Sequence, residues 1–283
     1  MSDLKKQFLS TIRDSQVFAA FTAVLAKIHS PFDVIMLIHR YSLFASNFAG
    51  GAATLMGAFH VSQDLFRDTH EEIQVCADKG AEIASCIFAA VDDEYIDRYT
   101  SKRVTHRNLS QQLVKEAAAF FNIQPGKFDR QFPLSIEMRQ ILQDVLAGFR
   151  FNQQNAEADL FFSLAFHVAN EIFADHEFRL MNSFFRTRYP EMVRHLIRAN
   201  AYGWIASHTV VEENHVSYGL AGIEMAIRYY AGARPRAELI ENIVEGLAFA
   251  IALELRVYAN LIHETAMQPK VNSTTAAVAS KSS

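Results

Sequence analysis

Apolar residues recur along most of this chain at intervals of three and four positions, which is the periodicity of an amphipathic helix. No stretch alternates between apolar and polar residues for long enough to indicate a strand, and no Asn-Gly pair marks a hairpin. Only six prolines and eleven glycines occur in 283 residues. Five of the prolines stand near the start of an apolar run, as helix-opening prolines do: Pro31, Pro125, Pro133, Pro190 and Pro235. The pattern therefore predicts an all-α protein.

The apolar runs predict eight helical segments, of which the first is interrupted: 3–29, 32–60, 62–96, 105–122, 133–152, 156–186, 190–231 and 235–266. The sequence contains neither an internal repeat nor a linker that would divide it. We therefore expect a single helical bundle over residues 1–268. Residues 269–283 are small and polar, and we expect them to form a disordered tail.

Composition excludes several classes of protein. A hydrophobic content of 50% and a charged content of 20% support a large core. The net charge of −4 leaves no excess of basic residues to neutralise a phosphate backbone, so we expect no nucleic-acid partner. The longest uncharged stretch, 41–63, holds glycines and polar side chains and is a poor membrane span. Because the chain has only two cysteines and no apolar signal segment, we expect a soluble cytoplasmic protein.

The strongest candidate for chemistry is the run HTVVEENH, in which His208, Glu212 and His215 are spaced by four and three residues. On a helix these positions fall within about 60° of one another, on one narrow stripe. Trp204 and Val211 beside the stripe are apolar, so we expect it to face inward. Two imidazoles and a carboxylate that converge suit a divalent transition metal. The alternative is a solvated polar face with two ordinary histidines.

Glu94 is a second candidate, because the residues three, four and seven positions before it are apolar: Val91, Ala90 and Ile87. An ionised glutamate on an apolar face needs a cation, an arginine or a metal as its partner. Asp92 and Asp93 lie off this stripe, and we expect both to be solvated. The alternative is that Glu94 lies at the helix end, beyond the core, and points into water.

Glu171 is the third acid on a largely apolar stripe. Phenylalanines surround it along the chain, and we expect them to form core: Phe161, Phe162, Phe166, Phe173 and Phe178. Glu171 could pair with His167, one turn earlier, or with an arginine of a neighbouring helix. The next residues, Asp175, His176 and Glu177, are expected to form an exposed turn of the helix.

One further histidine lies between these helices. Thr105 is a predicted N-cap, and His106 opens the helix HRNLSQQLVKEAAAFF. In chain order, the Asp-Glu pair at 93–94, Thr-His at 105–106, Ala-Asn-Glu at 169–171 and His-x3-Glu-x2-His at 208–215 resemble the haem-oxygenase-like diiron oxidases and oxygenases. The resemblance covers roughly residues 35–265 in the order and approximate spacing of elements.

The resemblance implies a haem-oxygenase-like helical bundle, a homodimer, and six metal ligands: Glu94, His106, Glu171, His208, Glu212 and His215. Three carboxylates and three imidazoles suit two irons, or one iron and one manganese. With O2 as cosubstrate, a member of this family would oxidise a small organic molecule such as an amino acid, an amine or a fatty acid. Glu212 departs from the family pattern, which more often has aspartate at this position.

One branch of the family makes para-aminobenzoate by consuming its own tyrosine, and Tyr41 lies about where that tyrosine would be. Asn170 and Trp204 stand where the branch has further tyrosines, which weighs against this alternative. Otherwise Tyr41 is an ordinary residue of the amphipathic predicted helix 32–60, where it could line the substrate cavity. The small residues Gly50 and Gly51 on the same helix either make room for a ligand or allow close helix packing.

Three other functions stay open. Related metal-free enzymes hydrolyse thiamin-related pyrimidines with a cysteine nucleophile, for which only Cys76 and Cys86 are available. A haem oxygenase would need a proximal histidine, and two stand early in the chain: His29 and His39. The chain could also be a non-catalytic interaction protein whose buried acids pair with arginines such as Arg40, Arg179 and Arg228.

Overall fold

The structure, a computed structural model, describes residues 3–62, 64–96, 104–124, 130, 133–150 and 156–266, except for the side chains of residues 156 and 210–213. Over these residues the secondary structure is helical, apart from two isolated bridges that join Phe66 to Tyr230 and Arg67 to Asp78. The all-α prediction is confirmed. The predicted tail, 269–283, and Pro125 lie outside the described residues.

The helices of the described ranges are α1 Asp3–Asp14, α2 Val17–Ala26, α3 Pro31–Ala45, α4 Phe48–Val61, α5 Gln74–Ala77, α6 Gly80–Tyr95, α7 His106–Phe120, α8 Ile136–Gly148, α9 Ala156–Arg188, α10 Pro190–Arg198, α11 Gly203–Tyr229 and α12 Arg236–Ala266. Five of the predicted segments are confirmed to within a few residues at each end, including the interruption of the first. Each of the other three predictions is wrong in one respect, because the predicted continuous helix is interrupted in the structure.

The predicted helix 190–231 breaks between α10 and α11. Asn200 adopts a positive φ of 55°, and the backbone N–H of Ala201 donates to the carbonyl of Leu196 over 2.8 Å. Asparagine tolerates this left-handed conformation and ends helices in this way. The predicted helix 32–60 breaks more mildly at Ser46 and Asn47, where the Ser46 hydroxyl donates to the carbonyl of Leu43 over 2.7 Å.

The predicted helix 62–96 begins only at Gly80, and residues 64–79 form a segment of turns and isolated bridges with one short helix. Phe66 is buried in this segment and packs against Phe59. The backbone of Arg67 donates to the carbonyl of Tyr229 over 2.7 Å. The segment is therefore held by the end of α11, more than 150 residues away in the sequence. Local periodicity carries no signal of such a contact.

The long helix α9 packs against α2, α11 and α12, and it forms the centre of the bundle. At two crossings a glycine lets α9 approach closely. A Cβ at Gly246 in α12 would lie 2.1 Å from the carbonyl oxygen of Phe162, and one at Gly219 in α11 would lie 2.8 Å from the side chain of Val168. The faces of α11 and α12 that meet α9 are thereby fixed. No helix within the described ranges is long and apolar enough to span a bilayer.

Candidate metal centre

The predicted inward stripe of α11 is buried at both of its histidines. The exposed fraction is 5% for His208 and 6% for His215. The solvated-face alternative is therefore wrong for these two side chains. Glu212 lies between them in α11, and its side chain is outside the described set.

Three predicted ligands meet at the ends of three helices. Glu94 from α6, His106 from α7 and His208 from α11 each offer a ligand atom, and these atoms lie within 4.8 Å of one another. Nδ1 of His106 is 3.2 Å from Oε1 of Glu94, and the rings of His106 and His208 have centroids 4.5 Å apart. We call these three residues the metal cluster. Glu94, whose side chain is 25% exposed at the end of α6, therefore lies against two imidazoles.

Local hydrogen bonds and ring contacts orient the imidazoles of His106 and His208. Thr105 is the N-cap of α7, as predicted, and its hydroxyl oxygen accepts the N–H of Asn108 over 3.1 Å, which places His106 in the first turn. Nδ1–H of His208 donates to the carbonyl of Trp204 over 2.6 Å, so the lone pair of the neutral ring is on Nε2. The ring of Phe178 stacks on His208 with centroids 3.9 Å apart.

The chemistry of this donor set fits a metal ion. Burial lowers the pKa of His208 well below its usual value, and the neighbouring His106 lowers it further. His208 is therefore neutral at physiological pH, which is the form that binds a metal. A carboxylate and two imidazoles from separate helices match the ligands that iron and other divalent transition metals take in proteins.

A second group of carboxylates and imidazoles lies beside the metal cluster. His215 is enclosed by two carboxylates, with Nε2 2.8 Å from Asp93 and Nδ1 3.2 Å from Glu171. Glu171 also lies 3.5 Å from Nδ1 of His167. The charges of Glu171 and His215 both act on the pKa of His208, so the two groups share one electrostatic environment. A metal here would compete with protons for the nitrogens of His215.

Asp93 is a site residue that the sequence reasoning missed. It was expected to be solvated, yet its exposed fraction is 8% and its carboxylate contacts His215. The reason is that α6 packs against both α4 and α11, so two of its faces are buried. A single apolar stripe in the sequence predicts only one of these two buried faces, so it does not predict the burial of Asp93.

The expectation that Glu177 is exposed is also wrong, since its exposed fraction is 2%. Its carboxylate accepts hydrogen bonds from the hydroxyls of Tyr41 and Tyr258. Beside it lies Glu254 of α12, whose exposed fraction is 1%. The sequence did carry a signal for Glu254, because its helical neighbours form an apolar stripe like that of Glu94: Leu247, Ala250, Val257 and Leu261.

Two cavities meet at Glu94. The larger, about 240 Å³, is lined by polar and small residues that include Ser42, Gly50, His106 and Arg107. The smaller, about 60 Å³, is walled by aromatic rings and ends in acids, with these residues among its lining: Tyr41, Phe44, Phe48, Glu94, Asn170, Glu171, Glu177, Phe178, His208 and Glu254. Tyr41 thus faces the candidate site, as expected for a residue lining a substrate cavity.

The two glycines of the predicted helix 32–60 serve different purposes, and both lie on α4 rather than on the helix of Tyr41. A Cβ on Gly50 would meet no atom within 4 Å, and Gly50 lines the larger cavity. A Cβ on Gly51 would lie 2.1 Å from the ring of Phe149. Gly50 therefore leaves space beside the site, whereas Gly51 allows close packing.

The rival functions find less support in the geometry. The arginines named as partners for buried acids have other contacts: Arg40 with Glu264, Arg179 with Asp175, and Arg228 with the ring of Tyr229. Cys76 is exposed, and burial raises the pKa of the Cys86 thiol, which disfavours the nucleophilic thiolate. His39 lies 3.0 Å from the guanidinium of Arg40, which leaves it poorly placed as an axial haem ligand.

Comparison with known proteins identifies the fold. No protein-family model and no curated protein matches this sequence. Two crystal structures of a CADD-like protein of unknown function from Nostoc punctiforme do match. One, at 2.00 Å resolution, gives a TM-score of 0.63 at 14% identity and covers 93% of this chain and 96% of that chain. The other, at 1.35 Å resolution, gives 0.56 at 16% identity over 93% and 94%. This chain has the fold of that protein. At such identities the likeness extends to the fold alone.

Proposed function

We propose that this chain is a non-haem diiron oxidoreductase with a haem-oxygenase-like bundle, and that it uses O2 to oxidise a small organic substrate. The ligands of the two irons, or of one iron and one manganese, would be Glu94, His106, Glu171, His208, Glu212 and His215. The observation that carries the proposal is the convergence of Glu94, His106 and His208 from three helices on one point. The resemblance of the ligand pattern to the family adds a homodimer as the expected assembly.

The chain's own residues would prepare such a site in three ways. The Trp204 carbonyl fixes the tautomer of His208, so that Nε2 is the ligand atom. Asp93 orients His215 from behind. The rings of Phe44, Phe48 and Phe178 wall the smaller cavity and exclude water from it. Two irons held here would supply the electrons that reduce O2, and the reduced oxygen would in turn oxidise a nearby C–H, C–N or C–C bond.

The test is metal uptake. Protein purified without oxygen and loaded with ferrous iron should hold about two irons per chain, and mixing with O2 should produce a transient visible absorption band. His208→Gln should retain no more than one iron, while His60→Gln, an exposed histidine on α4, should match the unaltered protein. No iron above the background of a chelated sample would overturn the proposal.

A second candidate is the self-sacrificing reaction, and the placement of Tyr41 favours it. The Tyr41 side chain is buried, lines the smaller cavity together with Glu94 and His208, and donates its phenol proton to Glu177. After reaction with O2, intact-mass analysis would reveal a loss within the chain, with para-aminobenzoate as product. Tyr41→Phe should then form no product. Unchanged chain mass after turnover would dismiss this candidate.

A further inference from the structure

Glu177 of α9 and Glu254 of α12 form a pair of buried acids, which we call the carboxyl pair. Glu177 accepts hydrogen bonds from the hydroxyls of Tyr41 and Tyr258. Oε1 of Glu254 is buried and has no hydrogen-bond partner. The two carboxyls share a hydrogen bond, but it leaves Oε1 of Glu254 without a partner, and a buried oxygen in that state is costly because it has lost its water.

The carboxyl pair also lacks a counter-ion. Among the described residues, neither carboxyl has a Lys, Arg or His within ion-pair distance, and the buried Arg40 pairs with Glu264 instead. Burial raises the pKa of Glu177 to about 7 and that of Glu254 well above its usual value, where the charge of Glu177 raises it further. The pair therefore consists of two buried acids with no positively charged side chain beside them, which is the composition of a binding site for a cation.

The carboxyl pair forms one part of the wall of the smaller cavity. Aromatic rings of Tyr41, Phe44 and Phe48 form another part, and Glu94 with His208 lies on the same lining. A volume of about 60 Å³ holds several waters or a short aliphatic chain. A ligand that fits must combine an apolar body with a group that donates hydrogen bonds to carboxylates, and aromatic rings also favour a nearby cation.

We propose that Glu177 and Glu254 bind the ammonium group of a short apolar primary amine, and so set the substrate class of the cavity beside the metal cluster. An ammonium has three N–H donors, enough for the unpartnered Oε1 of Glu254 and for an oxygen of Glu177. A divalent metal is a poorer occupant, because the other polar groups at the pair are phenols, which already donate their protons to Glu177. What happens to a bound amine rests on the proposed oxidoreductase function; the binding does not.

The test is calorimetric titration of the full-length chain, first treated with a chelator and then loaded with Zn²⁺. The ligands are n-propylamine, which is protonated at pH 7.5, its neutral counterpart 1-propanol, and its anionic counterpart propionate. We expect propylammonium to bind at least about tenfold more tightly than either, as charge-assisted hydrogen bonds require. Glu254→Gln should weaken propylammonium binding about tenfold and leave 1-propanol unaffected.

The matched control is Glu245→Gln, which makes the same change at an exposed position of α12 and should bind propylammonium like the unaltered protein. Equal affinities for amine and alcohol, no detectable amine binding, or an unaltered amine affinity in Glu254→Gln would each overturn the inference. Because amine binding is measured on the zinc-loaded protein and iron uptake is measured separately, the two outcomes are independent. Amine binding in a chain that takes up no iron would leave this site standing and overturn the oxidoreductase. Iron uptake without amine binding would overturn this inference and leave the oxidoreductase proposal standing.

Discussion

Two groups of acids line the same cavity in this bundle, and their partners differ in kind. In the metal cluster, Glu94 meets the imidazoles of His106 and His208, which offer lone pairs. In the carboxyl pair, Glu177 meets the phenols of Tyr41 and Tyr258, which offer protons. Glutamate alone therefore does not decide the chemistry of a site. Lone pairs beside a carboxylate suit a metal ion, whereas protons beside it suit a retained proton or an ammonium group.

The largest expected effect is a loss of stability at the two helix crossings that hold these regions in place. Gly246→Ala would place a Cβ 2.1 Å from the backbone oxygen of Phe162, where α9 crosses α12, the helix of Glu254. We expect it to lower the free energy of unfolding by about 3 kcal/mol or more, since backbone cannot move aside cheaply. Gly219→Ala, which meets only the side chain of Val168 at the α9–α11 crossing, should cost less. Chemical denaturation of both variants measures the difference, and equal losses would contradict the account.

The second prediction concerns pH and the carboxyl pair. The pKa of Glu177 is raised by burial to about 7, so the folded protein binds more protons than the unfolded chain at mildly acidic pH. Stability from this pair is thus present below the unfolded pKa and is lost as pH rises through about 7. Glu254, whose pKa is also raised, acts in the same direction.

Removing both titrating groups should remove this pH dependence. Relative to the double variant Glu177→Gln/Glu254→Gln, the unaltered protein should lose on the order of 3 kcal/mol of stability between pH 4.5 and pH 8. Burial lowers the pKa of His167 and His208, which makes stability rise with pH. The unaltered protein and the double variant share this opposing trend, so it cancels when the two are compared. Parallel stability curves for the two proteins would show that the pair is ionised throughout.

The third prediction tests the second group of ligands. Asp93→Asn should lower metal affinity about 10- to 100-fold, because loss of a carboxylate behind a ligating histidine has that effect. The contact removed is the 2.8 Å contact to Nε2 of His215. Glu82→Gln, an exposed acid on the same helix, serves as control. Competition titration with a metal-sensitive dye gives the affinities. An Asp93→Asn affinity equal to that of the control would leave Asp93 without a role at the site.

The smallest expected effect comes from one hydroxyl. Tyr258→Phe removes one of the two phenols that donate to Glu177 and should destabilise the protein by about 1 kcal/mol at neutral pH. It should leave metal uptake unchanged, because Tyr258 does not line either cavity at the metal cluster. Tyr218→Phe, at an exposed position, should change neither quantity. A fall in iron content in Tyr258→Phe would mean that the two acidic regions are not independent.

The difference between the two regions also explains what the sequence could predict. His208 and His215 were found because four- and three-residue spacings place them on one face of a single helix. Glu94 was found because it interrupts an apolar stripe. Both signals are local. His208 and His215 are buried, whereas Glu94 is partly exposed and contacts His106. The same stripe argument applies to Glu254, so that residue was within reach of the sequence.

Glu177 and Asp93 were not within reach, since each is buried by contacts with other helices. Glu177 is covered by Tyr41 of α3 and Tyr258 of α12, and Asp93 by His215 of α11. Helix breaks follow the same rule. Asn200 offered a weak local signal for the break before α11, whereas the docking of Phe66 against Tyr230 offered none. Periodicity predicts which face is buried against the nearest layer, and it does not predict a second buried face.

The measurement that tests the central claim most directly is anomalous scattering at the iron edge from crystals loaded with ferrous iron without oxygen. The account predicts one iron bound by Glu94, His106 and His208, and a second beside Glu171 and His215. Density at both positions would place the two irons on the predicted ligands. A fully loaded crystal with no anomalous peak among these residues, or with iron elsewhere on the surface, would contradict it.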